Sequence, residues 1–135
     1  LYREMGDVIE ARVMPIILQA PSGVTWKEKL FDIADRRAQV FETILPYRIS
    51  ANLKRFQSPY LMQDYRRMLR LESETVEAHL PPVVKDDVVA ARGLNVVLSF
   101  QTWRLLRHDQ DLPVDDAKAV VRRMLGDAMA GMPDK

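Results

Sequence analysis

Apolar side chains recur every three to four positions almost from one end of the chain to the other, which is the period of helices that each bury one face. Leu1, Tyr2, Met5, Val8, Ile9, Val13, Ile16 and Ile17 define a first helix over about 1–20, with Pro15 inside it. Ala20-Pro21-Ser22-Gly23 is turn chemistry. Thr25 then caps a long second helix, with Glu28 three residues on to complete a capping box. Its stripe runs Trp26, Leu30, Ile33, Ala34, Phe41, Ile44, Leu45, Ile49, Leu53, Phe56, and Pro46 within it should kink the axis and free a carbonyl one turn back, near Glu42. Ser58-Pro59 opens a third helix over about 59–80, with Leu61, Tyr65, Met68, Leu69, Val76 and Leu80 inward, and Pro81-Pro82 ends it. A fourth helix is expected over about 83–108. A fifth follows Asp111-Leu112-Pro113, with Asp115 and Asp116 at its positive end and a stripe from Val114 through Met129. Met132-Pro133-Asp134-Lys135 reads as a loose tail. No β pattern or internal repeat is visible, so the expected fold is all-α, a single bundle of about five helices.

The fourth helix carries two apolar arcs at 100° per residue. Ala90, Leu94, Val97, Leu98 and Leu105 form one. Val89, Val96, Phe100 and Trp103 form the other, with Arg92, Ser99, Gly93 and Arg104 between. A helix with two greasy sides is either wrapped wholly by its own chain or shared with a partner. In the shared arrangement it packs antiparallel to the fifth helix, and two such pairs about a two-fold axis make a four-helix interface. That interface is expected to hold Val89, Val96, Phe100, Trp103, Val121, Met124, Leu125 and Ala128.

The 135 residues fit one domain, 47% hydrophobic and 29% charged. A net charge of +1 argues against this chain being itself a strong nucleic-acid binder. The absence of cysteine removes disulfides, thiolate metal sites and cysteine nucleophiles. No run approaches a membrane span and no signal peptide is visible, which points to a cytoplasm. Catalytic sets are missing too. Glu77-Ala78-His79 has the wrong spacing for a Glu-x-x-His pair, and His108-Asp109 are adjacent and share no helix face. Arg66-Arg67 and Arg122-Arg123 read as solvated faces. No enzyme activity, metal or cofactor is therefore expected.

The run from Leu98-Ser99-Phe100-Gln101-Thr102-Trp103-Arg104-Leu105-Leu106-Arg107-His108-Asp109 to Asp115-Asp116-Ala117-Lys118-Ala119-Val120 resembles the last two helices of TetR-family transcriptional regulators. Asp35-Arg36-Arg37-Ala38 through Leu45-Pro46-Tyr47-Arg48, then Ser58-Pro59, is similar to the middle of such proteins, and Leu1-Tyr2-Arg3-Glu4-Met5 to the helix after their DNA-binding head. Gln101 and Asp115-Asp116 stand where Glu is common, and no three-helix head is present in this chain. The resemblance implies a homodimer and a pocket for a small, mostly apolar effector. It also implies that operator DNA, if bound, is bound through a head lying upstream. The uncapped start at Leu1 carries the same expectation of a chain entered partway along a helix. Pocket candidates are Phe41 and Leu45 beside Pro46, Tyr65 and Met68 on the third helix, and Leu94, Asn95, Leu98 and Thr102 on the fourth. The competing reading is a helical dimerisation module with no small-molecule ligand.

Overall fold

The computed structural model describes residues 2–134; Leu1, placed above in the first stripe, and Lys135 lie outside the described residues. The fold is all-α, and among the described residues there is no strand. Five longer helices form the bundle: α1 (Tyr2–Ile17), α2 (Trp26–Leu53), α3 (Pro59–Glu77), and, after the one-turn α4 (Pro82–Lys85), α5 (Val88–Val97) and, beyond the short α6 (Phe100–Arg104), α7 (Val114–Met129). A 3-10 turn follows α2 and a π turn, Leu105–Asp109, follows α6. No helix is long and apolar enough to cross a membrane, among the described residues.

The boundaries have local causes. Thr25 and Glu28 form the capping box, each bonding the other's backbone N–H, so α2 starts where the sequence says. Ser58 Oγ accepts the Leu61 N–H at 3.2 Å, and Pro59 fills the first position of α3. Gly23, in the turn before α2, has φ 125°, and a Cβ there would sit 2.8 Å from Glu28 Cβ, so this turn requires glycine. Pro46 lies within α2 without ending it.

α2 is the central post. α1 packs antiparallel to it: the Tyr47 hydroxyl donates to the Tyr2 carbonyl at 3.0 Å, and Tyr2 and Ser50 hydroxyls meet at 2.7 Å. Burial, reinforced by Asp64 and other nearby groups, pushes the Tyr47 phenol up to about 12. At the far end of α1, Arg36 donates to the carbonyls of Gln19 and Ala20 and pairs with Asp32. On another side, α7 runs antiparallel to α2, with Ala117, Val121, Leu125 and Met129 buried and Arg122 bonded to Asp35 at 2.9 Å. The terminal segment is not loose. Trp26 Nε1 donates to the Pro133 carbonyl at 3.0 Å and Lys27 to that of Met132 at 2.7 Å, fastening it to the first turn of α2. Leu53 and Phe56, placed on the α2 stripe by periodicity, are three-quarters exposed, because the helix ends between them.

The largest departure from the sequence reading is the expected fourth helix. It is not continuous over 83–108; it is interrupted at Asp86-Asp87, between α4 and α5, and breaks again at Leu98-Ser99. Ser99 is the N-cap of α6, its hydroxyl accepting the Thr102 N–H at 3.2 Å and donating to the Val96 carbonyl at 2.8 Å. The break rotates the following residues relative to α5. Phe100 and Trp103 turn into the chain's own core, at 1% and 3% exposure, whereas Val89 and Val96 stay outside, at 84% and 64%. The second arc thus never exists as one surface, and Phe100 and Trp103 are corrected to core residues. Val121 and Leu125 are likewise covered by the same chain, while Met124 and Ala128 are half-buried.

Glu42 clamps this region to α2. Arg107 grips it through two bonds, at 2.9 and 2.8 Å, and Trp103 Nε1 donates to it at 2.7 Å. The Arg107 bond, followed by the Trp103 bond, holds the Glu42 carboxyl below its ordinary range against a smaller opposing effect of burial. A carboxyl depressed in the folded state stabilises the fold above its unfolded pKa of about 4.3 and loses that contribution as pH falls through the folded value. Unfolding free energy should therefore decline below about pH 4.3, and Glu42→Gln should lose stability at neutral pH and show a shallower acid slope in urea titrations run at a series of pH values. Trp103→Ala should cost about 3–5 kcal/mol in the same measurement.

Candidate functional site

A cleft of about 350 Å³ lies between α1, α2 and α3. Its walls are the end of α1 and the turn beyond it (Ile16 to Pro21), one face of α2 (Ile33, Val40, Phe41, Ile44) and one face of α3 (Met68, Leu71, Thr75). The volume is at the small end of the range for ligand pockets, roughly 300–1,000 Å³. A second cavity of about 70 Å³ adjoins it and shares Ile17, Val40, Ile44, Arg48, Met68 and Leu71 as a common partition. It continues toward Tyr47, Asn52 and Tyr65.

Charged groups line this apolar cleft. Arg48, buried at 5% exposure, bonds Glu72 through Nη2 at 3.0 Å and lies 4.5 Å from the centre of the Phe100 ring. The other Glu72 oxygen accepts the Phe100 backbone N–H at 3.0 Å. Arg37 donates to the Glu72 carbonyl at 2.7 Å and to the Leu98 carbonyl at 2.8 Å. Burial, reinforced by Arg48 and opposed by Glu72, lowers the Arg37 guanidinium to about 10, so it stays charged at neutral pH. His79, also on the cleft, is lowered by burial and then by Lys29, which favours the neutral ring. Glu72 is thus the polar centre of the cleft floor, and it joins α2, α3 and the α5–α6 break.

Of the pocket residues expected from sequence, Phe41 and Met68 line the cleft, and Tyr65 and Met68 line the adjoining cavity. The others do not meet there. Leu98 borders a separate gap of about 10 Å³, shared with Arg37, Phe41, Trp103 and Val121. Leu45 packs half-buried against the core, and Leu94 is fully buried in it. Thr102 closes the helix break by donating to the Val96 carbonyl. Asn95 is half-buried with both amide atoms closed off from solvent and unpartnered. For Thr102 the reason is the break at Ser99, which invalidates angles taken along a continuous helix; Leu94, Asn95 and Leu98 precede the break, and α5 contributes no wall to the cleft. Arg37, Arg48 and Glu72 went unnoticed. A signal existed: Arg37 and Arg48 lie eleven residues apart, about 20° on a helical wheel, within the same face as Ile44.

Outside this site Arg67, Arg122 and Arg123 of the two Arg-Arg pairs have acidic partners. Arg67 bridges Glu10 at 3.0 Å and Asp64 at 2.9 Å, and Arg123 pairs with Asp127 at 3.0 Å. His108 meets only its neighbour Asp109, at 3.0 Å on the surface, within hydrogen-bond reach. No group of three or more His, Cys, Asp or Glu side chains is arranged to hold a metal ion, among the described residues. Comparisons with protein-family models, curated proteins and solved structures find no match.

Removing the Glu72 carboxylate would leave the buried Arg48 guanidinium without its ion-pair partner and the Phe100 N–H without its acceptor. Glu72→Ala should cost about 3–5 kcal/mol in equilibrium urea unfolding, whereas Asp127→Ala, at an exposed pair, should change stability by less than about 1 kcal/mol.

Proposed function

We propose that this chain is the ligand-sensing and self-associating part of a transcription regulator of the TetR type, with a small, mostly apolar effector held between α1, α2 and α3. The observation that carries the reading is the cleft of about 350 Å³ walled on one side by the end of α1. In the regulators this sequence resembles, the counterpart of α1 leads from the DNA-binding head. A ligand touching Ile16 and Ile17 acts directly on that helix. It can release operator DNA only by binding one α1 position better than another, and the size of that preference sets the coupling. Two heads must reach half-sites about 34–36 Å apart, or a multiple of that, so a modest swing of α1 in both copies is sufficient.

Self-association rests on the outer face of α5. Val89 and Val96 share it, and Gly93 lies between them with nothing within 4 Å of where a Cβ would stand. A glycine inside a helix costs about 1 kcal/mol relative to alanine, and here no contact within the chain requires it. A bare backbone flanked by exposed valines suits close approach of a second helix. The same face also favours the alternative of a dimerisation module without a ligand, and occupancy of the cleft separates the two.

The neutral fluorophore N-phenyl-1-naphthylamine should bind the chain with enhanced emission, and Met68→Trp, which fills the cleft, should abolish that binding while the fold survives by circular dichroism. Equal emission with both proteins rejects the cleft as the site; no binding to either favours the module. In sedimentation velocity the chain should run as a dimer, and Val96→Glu with Gly93→Arg should give a folded monomer. An unchanged dimer rejects the α5 interface.

A further inference from the structure

We infer that the ligand of the cleft carries a single acidic head, a carboxylate, seated where the two cavities join and received by Arg48 and Asn52, with its apolar body lying in the larger space. The inference rests on the cleft being a ligand site and adds the chemistry of what fills it.

Two observations carry it. The first is an unmet demand for acceptors. Arg48 and Asn52 stand one turn apart on α2, both line the smaller cavity, and both are more than nine-tenths buried. Arg48 Nη1 and Asn52 Nδ2 have no hydrogen-bond partner. A buried donor left unmade costs about 1–3 kcal/mol, more when charged, so a fold that keeps two of them side by side gains when something supplies oxygen lone pairs. Both unpartnered atoms are N–H donors, which calls for an acceptor oxygen at that point. The second observation is charge. On the cleft side of the partition stand the Arg37 and Arg48 guanidiniums and one carboxylate, Glu72, which bonds Arg48 while its backbone carbonyl takes Arg37; counted on that side alone, one positive charge is in excess. Arg36 at the rim is already neutralised by Asp32. A monoanion balances the count; a cation worsens it. A carboxylate also matches the planar fork of a guanidinium better than a hydroxyl does.

The direction of entry follows from the surrounding groups. The smaller cavity is bordered on its α1 and α3 side by Asp7, Glu10 and Asp64 against Arg67 alone. That acidic margin disfavours an anion approaching there. The larger cleft, bordered by Arg36, Arg37 and Arg48, is the favourable mouth, and the acid group enters first and stops at the partition.

Decanoate, decan-1-ol and decylamine share a chain and differ in the head, so calorimetric titration of the chain with each isolates the inference. Decanoate should bind at least tenfold more tightly than decan-1-ol, with decylamine weakest. Asn52→Leu, which removes a group that has no partner at Nδ2, should keep the fold and reduce the acid-over-alcohol preference severalfold. Arg48→Met combined with Glu72→Gln, which removes the buried pair together, should abolish it. Equal binding of acid and alcohol, or a preference that survives both variants, overturns the carboxylate inference and leaves the cleft as a ligand site. Failure of all three compounds, together with failure of the neutral fluorophore, overturns both.

Discussion

Glu72 accepts from two elements at once, and the geometry of the whole bundle depends on where it stands. One oxygen holds Arg48 on α2, the other holds the first N–H of α6, and its backbone carbonyl holds Arg37. A helix that stops in the interior exposes carbonyls and N–H groups that must find partners. At Leu98-Ser99 they do. Arg37 takes the Leu98 carbonyl, Glu72 takes the Phe100 N–H, and Ser99 and Thr102 cover Val96 and one another. The break is therefore a satisfied feature of the core. Because the chain turns there, Phe100 can lie edge-on to Phe41, with ring centres 5.3 Å apart, and beneath the Arg48 guanidinium. Moving Glu72 would undo the helix break, the aromatic contact and the charge pairing together.

The same residues account for an open cleft beside a close-packed core. Long polar side chains at Arg37 and Arg48 occupy positions on α2 that an ordinary stripe would fill with Leu or Ile. They reach toward α3 and toward the α5–α6 break. The side facing α7 closes tightly around Ala117, Val121 and Leu125. The side facing α1 and α3 remains unfilled between Ile16, Ile44 and Leu71. α1 is fastened at both ends, by Tyr47 and Ser50 near its start and by Arg36 near its finish, and it spans the opening between them.

Elements with strong local chemistry were legible in the sequence. The Thr25–Glu28 box, the Ser58-Pro59 start, the α7 stripe and the all-helical class follow from caps, proline positions and period, all of which act within a few residues. Three of the eight expected pocket positions, Phe41, Tyr65 and Met68, lie on the same stripes and border the cleft or its adjoining cavity. The part that was not legible depends on long-range polar contacts. Ser99 is a good N-cap in isolation, but a serine within an apolar run is also tolerated in an unbroken helix. What decides between the two is Glu72, 28 residues away, and Arg37, 61 residues from Leu98. Periodicity assumes a constant rotation per residue, so one break carried Phe100 and Trp103 from an imagined outer face into the core and Thr102 from a pocket into a cap. The docking of Trp26 and Lys27 on the C-terminal carbonyls has the same character, with more than a hundred residues between partners.

The two sides of α5 differ in what covers them. Leu94 and Ala91 point inward and are buried, while Val89, Arg92, Gly93 and Val96 form an outer face that the chain itself does not cover. The helix after Ser99 no longer extends this face, so any contact made there is short, confined to about two turns, and rests on α5 with the adjoining half-buried Met124 and Ala128 of α7. A short contact carries little rotational constraint of its own. Its geometry would be set by how α5 and α7 are held within each copy, and that in turn runs through the Leu98-Ser99 break to Arg37 and Glu72 in the cleft floor. The cleft and α5 are thus joined by hydrogen bonds, from Arg37 to the Leu98 carbonyl and from the Phe100 N–H to Glu72. An acid group drawing Arg48 toward itself competes with Glu72 for that guanidinium, and Glu72 is the residue that holds the first turn of α6. The cleft therefore has two elements on which a ligand can act: α1 directly, through Ile16 and Ile17, and the α5–α6 corner through the shared carboxylate.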